Sequence, residues 1–424
     1  MYRFSFGRRT SPGTRAKSVY AAAIGIVLGL ALFLRLHYVL TEEHPPLDWD
    51  QLEYTKMAIR ILENGVYAYR DTSSNTLVTP GFPMLLVAVF AAVGYDPDLP
   101  ATMPELMAVR VLNCFVSLGA IWFIYRIGAL LFHRIAGLLA AFFAAVHPSY
   151  VWACSLILTE IPFLTCFTAL LYVQVRIIQE NRLRHHVLAG LLLALTVLIR
   201  PNVLPIGIVP YVFLWFRHRK PYWREIGYAA VAFALVMMPW WVRNALTFHQ
   251  FIPIADGEAG NPFLGGTDPY FRGTIDWNRI NGMDGNEQFA EGLRRIRQGL
   301  AEDPWLWVKW FTIGKMAVFF KTMWVGPYPL AVPNWYYSIL AKLHDTIVFA
   351  GWFTLLTLRT RALRFLALGL ILFLGVHLLF IPVDRYAFGM MPLLMLGSAY
   401  LLSAAAIALV KSVRAVPFMK ERTE

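Results

Sequence analysis

Ten apolar runs constrain this chain more than any other feature: 19–40, 106–126, 134–152, 160–178, 187–199, 202–216, 226–243, 338–357, 363–381 and 388–410. About 20 apolar residues let a helix cross the hydrocarbon core of a bilayer, and most of the runs are near that length. The charged fraction is 15%, against about 25% in a soluble domain. The net charge of +12 signals topology and not a nucleic-acid partner, because most Lys and Arg fall in short gaps between runs. With the N-terminal tail (Arg3, Arg8, Arg9, Arg15, Lys17) in the cytoplasm, every short basic connection falls on the same side. These are Arg126 with Arg134, Arg182 with Arg184, the 217–224 stretch, Arg359 with Arg361 and Arg364, and Lys411 with Arg414 and Lys420. The expectation is an all-α polytopic membrane protein with about ten transmembrane helices, both termini cytoplasmic, and one domain over 1–424.

The same parity fixes finer points. Residues 187–216 have basic connections at both ends, so they form a hairpin turning at Arg200-Pro201. Each arm reaches only about 20 Å at about 1.5 Å per residue, which leaves Arg200 below the outer surface. The Trp-rich stretch 305–325 would break the pattern by crossing, so it lies along or partly into the outer interface. Two outer regions remain, 41–105 and 244–337. The first adds an interfacial helix in 81–94, and the second an amphipathic helix with Phe289, Leu293, Ile296 and Leu300 on one stripe. Neither is large enough for an independent soluble domain. Cys114, Cys154 and Cys166 sit in or beside apolar runs without ligand spacing and read as core residues. The first run is longer than a signal-peptide core and lacks a small-x-small cleavage site, so it is an uncleaved helix.

Directly after the first run, residues 46–65 place Asp48, Asp50 and Glu53 ahead of an apolar stripe: Tyr54, Met57, Ala58, Ile61, Leu62. That is the spacing of a helix with one face on an apolar surface, and Asn64-Gly65 should end it. Asp50 and Tyr54, one turn apart, project from the same side. A plain alternative is a capping box, Asp50 accepting from the first turn and Glu53 reaching back.

Three arginines then stand where the topology does not want them. Arg200, Arg243 and Arg385 all fall at outer helix ends, and an arginine costs about 2.5 to 3.5 kcal/mol at a helix centre, less near the surface. Glu160 and Asp384 lie at the same depth and could pair with them. Otherwise the guanidinium groups are suited to a lipid phosphate. Carboxylates facing guanidinium groups across an outward cavity are what sugar transfer from a lipid phosphate requires: a base for the acceptor proton and cations for the departing phosphate.

The order DWDQLEYTKMAIRILENGVY, TPGFPMLL, LILTEIPF, GLLLALTVLIRPN, MMPWWVRNALTFHQFIPI and DRYAFGMMPLL closely resembles the GT-C membrane glycosyltransferases of the protein O-mannosyltransferase and lipid A aminoarabinose transferase type. The resemblance runs from the first helix to the tenth. It implies the GT-C fold and an inverting hexosyl- or pentosyltransferase that takes its sugar from a polyprenyl-phosphate donor. The active site would be at the outer face of the membrane and the acceptor a lipid, glycan or protein of the cell envelope; the lack of a disulfide framework and the small outer loops fit a bacterial inner membrane, which makes that face periplasmic. The resemblance carries Asp50 over as the catalytic base, Glu160, the acidic residue that opens helix four, as a second catalytic residue, and Tyr54 as a cavity aromatic. Arg243 and Arg385 become donor-phosphate or cavity residues, joining Arg200 and Asp48 as substrate-binding candidates. Asp48-Trp49-Asp50 looks like the DxD of metal-using members, so Asp48 and Asp50 are the candidate ligands for a divalent metal, although single-phosphate donors commonly require no cofactor. Thr79 departs from relatives with Lys or Arg just before that Pro, which could pass the duty to Arg243, Lys309, Lys315 or Lys321.

Two other readings compete. A transporter or flippase of lipid-linked sugars would also show charges at depth, but tends to show paired halves with broken helices at matching places, which this chain lacks. A scaffold that kept the fold and lost activity would not need the acid pair.

Overall fold

In a computed structural model of the chain, residues 14–256, 260–280, 282–326 and 334–415 are described, and among them all regular structure is helical. Arg3, Arg8, Arg9 and Lys420 of the basic tails lie outside these residues. Helix α1 (Thr14–Thr41) leads into the 41–105 region, which carries α2 (Trp49–Asn64) and α3 (Gly81–Val93). Then follow α4 (Leu106–Leu131), α5 (Arg134–Val146), α6 (Pro148–Trp152), α7 (Glu160–Glu180), α8 (Leu183–Ile199), α9 (Val209–His218) and α10 (Trp223–Phe248). The 244–337 region holds α11 (Gly260–Gly265), α12 (Trp277–Ile280), α13 (Gly285–Glu302), α14 (Pro304–Lys309) and α15 (Lys315–Lys321), and α16 (Asn334–Thr357), α17 (Arg361–His377) and α18 (Met391–Ala415) follow.

Among the described residues, α1, α4, α7, α10, α16 and α18 are long and apolar enough to cross a membrane, and α5 with α6 makes a seventh if counted as one span. The other three expected crossings are α8 and α17, of 17 residues each, and the arm that ends in α9. The run 134–152 is not one straight helix as its hydropathy implies. It bends by 60° between α5 and α6, because Pro148 disfavours a helical residue before it and His147 is extended. The carbonyls freed at the end of α5 are met by Arg35 of α1, fully buried, whose guanidinium donates to Ala144 O (3.0 Å) and Ala145 O (2.9 Å). A cation at a helix C-terminus also suits the helix dipole.

The hairpin at Arg200-Pro201 is present. Arg200 ends α8 in an extended conformation and a 3-10 helix over Pro201–Ile208 turns back into α9. The arms run antiparallel, with Leu193 against Gly207 and His186 Nδ1 within 3.2 Å of the Tyr211 hydroxyl. Gly190 lets α8 lie directly on α10, since a Cβ there would fall 2.1 Å from Ala229 O.

The Trp-rich stretch stays helical from Pro304 to Lys321, α14 passing through a π turn over Trp310–Gly314 into α15. Lys315 is fully buried and donates to Leu378 O (2.8 Å) and Phe380 O (2.9 Å) beyond α17. This fastens the stretch to the segment that leads into Arg385, and burial pushes the Lys315 ammonium down to about 7.

Candidate active site

Helix α2 begins at Trp49, with Asp48 in the N-cap position but making no side-chain cap bond. The expected capping box is not formed: Glu53 pairs with Lys56 (3.3 Å), and Asp50, one step inside the helix, turns its carboxylate to distant partners. The stripe packs as expected, with Met57 and Ala58 buried and Tyr54 edge-on to Phe82 of α3 (centroids 5.1 Å). Gly65 ends the helix at φ 67°. Gln51 Oε1 accepts from Ile157 N (2.9 Å), which ties α2 to the turn before α7.

Four of the predicted residues form one chain of charge. Asp50 Oδ2 accepts from Arg385 Nη1 (3.3 Å). The Nε of Arg385 and the Nη2 of Arg200 both donate to Glu160 Oε1. Arg200 Nε donates to Thr159 Oγ1 (2.7 Å), which explains why Thr159 leaves the start of α7 without a side-chain cap. The side chains differ in access: Glu160 is 1% exposed, Arg200 14%, Arg385 25% and Asp50 35%. Glu160, expected as a second catalytic residue, is instead a buried anchor for two guanidinium groups, and Asp50 is the more accessible carboxylate. Burial works against the charge on Arg385, but Glu160 and Asp50 beside it outweigh that and raise its pKa. Asp384 accepts from the Arg385 backbone N–H (2.9 Å) and from Thr322 (3.3 Å), so it shapes the turn. Tyr54 faces the cluster as a neutral hydroxyl, its pKa raised by burial and then by Asp50.

Two residues that sequence reasoning missed complete the surroundings of Asp50. Its Oδ1 accepts from the Tyr69 hydroxyl (3.0 Å) and from Arg70 Nη2 (2.8 Å). Both come from an irregular loop, where Arg70 adopts a left-handed φ of 54° and no periodicity marks them. Asn75 pins that loop by bonding both the N–H (3.2 Å) and the carbonyl (2.9 Å) of Tyr69. Arg243 does not reach the charged chain. It donates to Asn75 O (3.0 Å) and Tyr67 O (3.2 Å) and lies 4.8 Å from the centre of the Tyr67 ring, clamping the loop from behind.

Asp48 is exposed and its carboxylate has no partner among the described residues. With Asp50 it does not fit a divalent cation: both Asp50 oxygens already accept from cations or a hydroxyl, and Arg70 and Arg385 would repel a metal. Among the described residues no three His, Cys, Asp or Glu come together as ligands. Of the three lysines considered for phosphate, Lys315 is committed to carbonyls, whereas Lys309 and Lys321 are exposed.

A family model described as dolichyl-phosphate-mannose-protein mannosyltransferase matches residues 102–242. That span holds Glu160, Arg200 and all but the last residues of α10. No curated protein matches the sequence. Among solved structures, the oligosaccharyltransferase of Archaeoglobus fulgidus in its apo form aligns with a TM-score of 0.55 at 15% identity, covering 95% of this chain and 52% of that one. ArnT from Cupriavidus metallidurans, bound to undecaprenyl phosphate, aligns with a TM-score of 0.52 at 11% identity, covering 96% and 67%. The chain has the GT-C fold. The chain spans about half the length of the archaeal enzyme. A second structure of that enzyme, AglB in complex with an inhibitory peptide and a dolichol-phosphate, aligns with a TM-score of 0.54 at 14% identity, covering 95% and 52%. At such identities the likeness establishes the fold, and the chemistry of this chain has to be read from its own cluster.

Proposed function

We propose that this chain is an inverting glycosyltransferase that moves a sugar from a polyprenyl-phosphate donor to an acceptor at the outer face of the membrane, with Asp50 as general base. The observation that carries the reading is the asymmetry of the two acids, one buried and doubly paired, the other accessible beside two guanidinium groups. An ionised carboxylate offers about four acceptor sites. Tyr69, Arg70 and Arg385 use three on Asp50, which leaves one for an acceptor hydroxyl or amine.

Asp50 takes the acceptor proton as the acceptor atom bonds to the anomeric carbon. The bond from that carbon to the phosphate oxygen breaks on the opposite face, and polyprenyl phosphate leaves carrying the electron pair. Arg385 and Arg70 stabilise the charge that grows on the phosphate. Glu160 and Arg200 are positioning residues that hold Arg385, and Arg243 is one that holds the loop of Tyr69 and Arg70. Attack from the side opposite the leaving group gives inversion.

The comparisons favour the donor class: the matched family is described by a dolichyl-phosphate sugar, ArnT was solved with undecaprenyl phosphate and AglB with a dolichol-phosphate and a peptide. The basic gaps favour cytoplasmic termini, and small outer regions with free cysteines favour a bacterial inner membrane. The test is transfer of labelled sugar from a panel of polyprenyl-phosphate hexoses and pentoses to endogenous acceptors, in membranes with and without the chain. Chain-dependent transfer is expected. Faster crossing of the bilayer by labelled lipid, without transfer, would make the chain a flippase.

A further inference from the structure

The transfer site leaves unused a polar pocket in the second outer region, of about 240 Å3, between the turn after α11, the C-terminal half of α13 and the start of α14. Trp307 and Pro269 give it an apolar face, and Arg272, Thr274, Gln298 and Glu302 supply polar groups around it. From these groups we infer that the pocket binds one pyranose unit of a glycan acceptor, several sugar units away from the point of transfer; the acceptor role rests on the glycosyltransferase reading above.

The chemistry selects a sugar. A pyranose presents C–H groups on one face, which suit an indole, and a rim of hydroxyls that both donate and accept. Guanidinium, amide and carboxylate groups in one pocket match such hydroxyls in pairs. A free phosphate would meet Glu302 as well as Arg272, and a purely apolar ligand would strand Arg272 and one oxygen of Glu302.

The walls are set before any ligand arrives. Arg295 donates to Thr267 Oγ1 (2.9 Å), Thr274 O (3.0 Å) and Thr274 Oγ1 (2.6 Å), which locks the turn to α13. Asp268 accepts from Gly273 N (2.9 Å) and Thr274 Oγ1 (2.8 Å). Gln298 donates to one oxygen of Glu302 (2.7 Å), and the other oxygen has no protein donor among the described residues. Tyr270 and Phe271 hold consecutive left-handed φ values of 58° and 54°, a conformation bulky residues rarely adopt and one that gathers at functional sites. Both rings pack on Trp310, and the turn they force delivers Arg272, whose only partner among the described residues is the Tyr270 ring (5.9 Å). Gly299 completes the construction, since a Cβ there would fall 1.8 Å from the Trp307 ring.

The helical stretch from Trp307 to Thr322 joins this pocket to the cluster, because Thr322 bonds to Asp384 beside Arg385. That stretch measures roughly 20 Å at about 1.5 Å per residue. One acceptor that occupies both ends must be an extended glycan.

The test uses the full chain in lipid nanodiscs and equilibrium dialysis against neutral tetrasaccharides of α- and β-linked glucose, galactose and mannose. Wild type should bind at least one saturably, and the exposed-residue variants Arg272→Gln and Glu302→Gln should each weaken binding about tenfold, the loss of one charged hydrogen bond. Arg297→Gln, an exposed residue of α13 outside the pocket, should leave binding unchanged. In transfer assays the two pocket variants should raise the acceptor KM about tenfold and leave kcat and the donor KM unchanged. No saturable binding of any tetrasaccharide, or binding that neither variant alters, overturns the inference. Absent transfer with tetrasaccharide binding that still depends on Glu302 overturns the proposed function and keeps the saccharide pocket.

Discussion

Replacing Glu160 by glutamine tests the anchor directly, because the shape is kept and only the charge is removed. One Glu160 oxygen receives both Arg200 and Arg385, so the variant leaves two guanidinium groups facing a neutral amide. Breaking a buried ion pair costs about 3 to 5 kcal/mol. Because Arg200 and Arg385 keep 14% and 25% of their side-chain surface, water recovers part of that, and the low end, about 3 kcal/mol, applies. Equilibrium unfolding in a fixed detergent should show this loss for Glu160→Gln. The double variant Glu160→Gln with Arg200→Gln should be more stable than the sum of the two single losses by about 1 to 3 kcal/mol, as coupled partners are. Transfer should fall as well, through kcat, as Arg385 loses its buried partner and with it the position of Asp50. A Glu160→Gln protein as stable as wild type, or strictly additive losses in the double variant, would refute the reasoning.

Arg243→Gln removes two charged donors from the 67–75 loop, each worth about 1.5 to 3 kcal/mol. It should speed hydrogen exchange there and slow transfer about tenfold to a hundredfold by misplacing Tyr69 and Arg70; unchanged exchange at 67–75 would count against the clamp. Tyr69→Phe removes one hydroxyl donor from the charged Asp50 carboxylate and should lower kcat about tenfold to a hundredfold, on the order of 1.5 to 3 kcal/mol; an unchanged kcat would count against its place at the base. Lys315 bears on pH. Burial holds it at about 7 in the folded chain against 10.5 when exposed, so between these values the unfolded chain binds the extra proton and folding gains stability as pH rises. The melting temperature of wild type should climb relative to Lys315→Met from about pH 7 to pH 10.5 and run parallel below pH 7; parallel curves throughout would show that Lys315 docks without a charge penalty.

What the sequence made legible follows from where charge is tolerated. Arg200 and Arg385 could be singled out because basic residues are rare at outer helix ends, and Glu160 because it lies at their depth. The structure joins these three with Asp50. The same reasoning named Arg243 but not its work, since the topology gives depth and not direction, and Arg243 points at backbone carbonyls of another loop. Tyr69 and Arg70 left no trace, because an irregular loop carries no period and its shape depends on Asn75 and Arg243 together. The cap of α2 was misplaced because local spacing favoured Asp50, whereas the carboxylate is claimed by Arg385, 335 residues away. The bend before Pro148 escaped because hydropathy counts apolar residues without regard to a proline among them.

The central claim is that Asp50 removes the acceptor proton. The measurement is the rate of sugar transfer, from whichever polyprenyl-phosphate donor is active, in membranes that hold equal amounts of wild type or Asp50→Asn. Asparagine keeps the volume and can still accept from Tyr69 and Arg70, but it cannot act as the base. The account predicts a loss of a hundredfold or more, roughly the contribution of a general base. Equal rates would contradict it and would leave Asp50 as no more than a partner for the arginines around it.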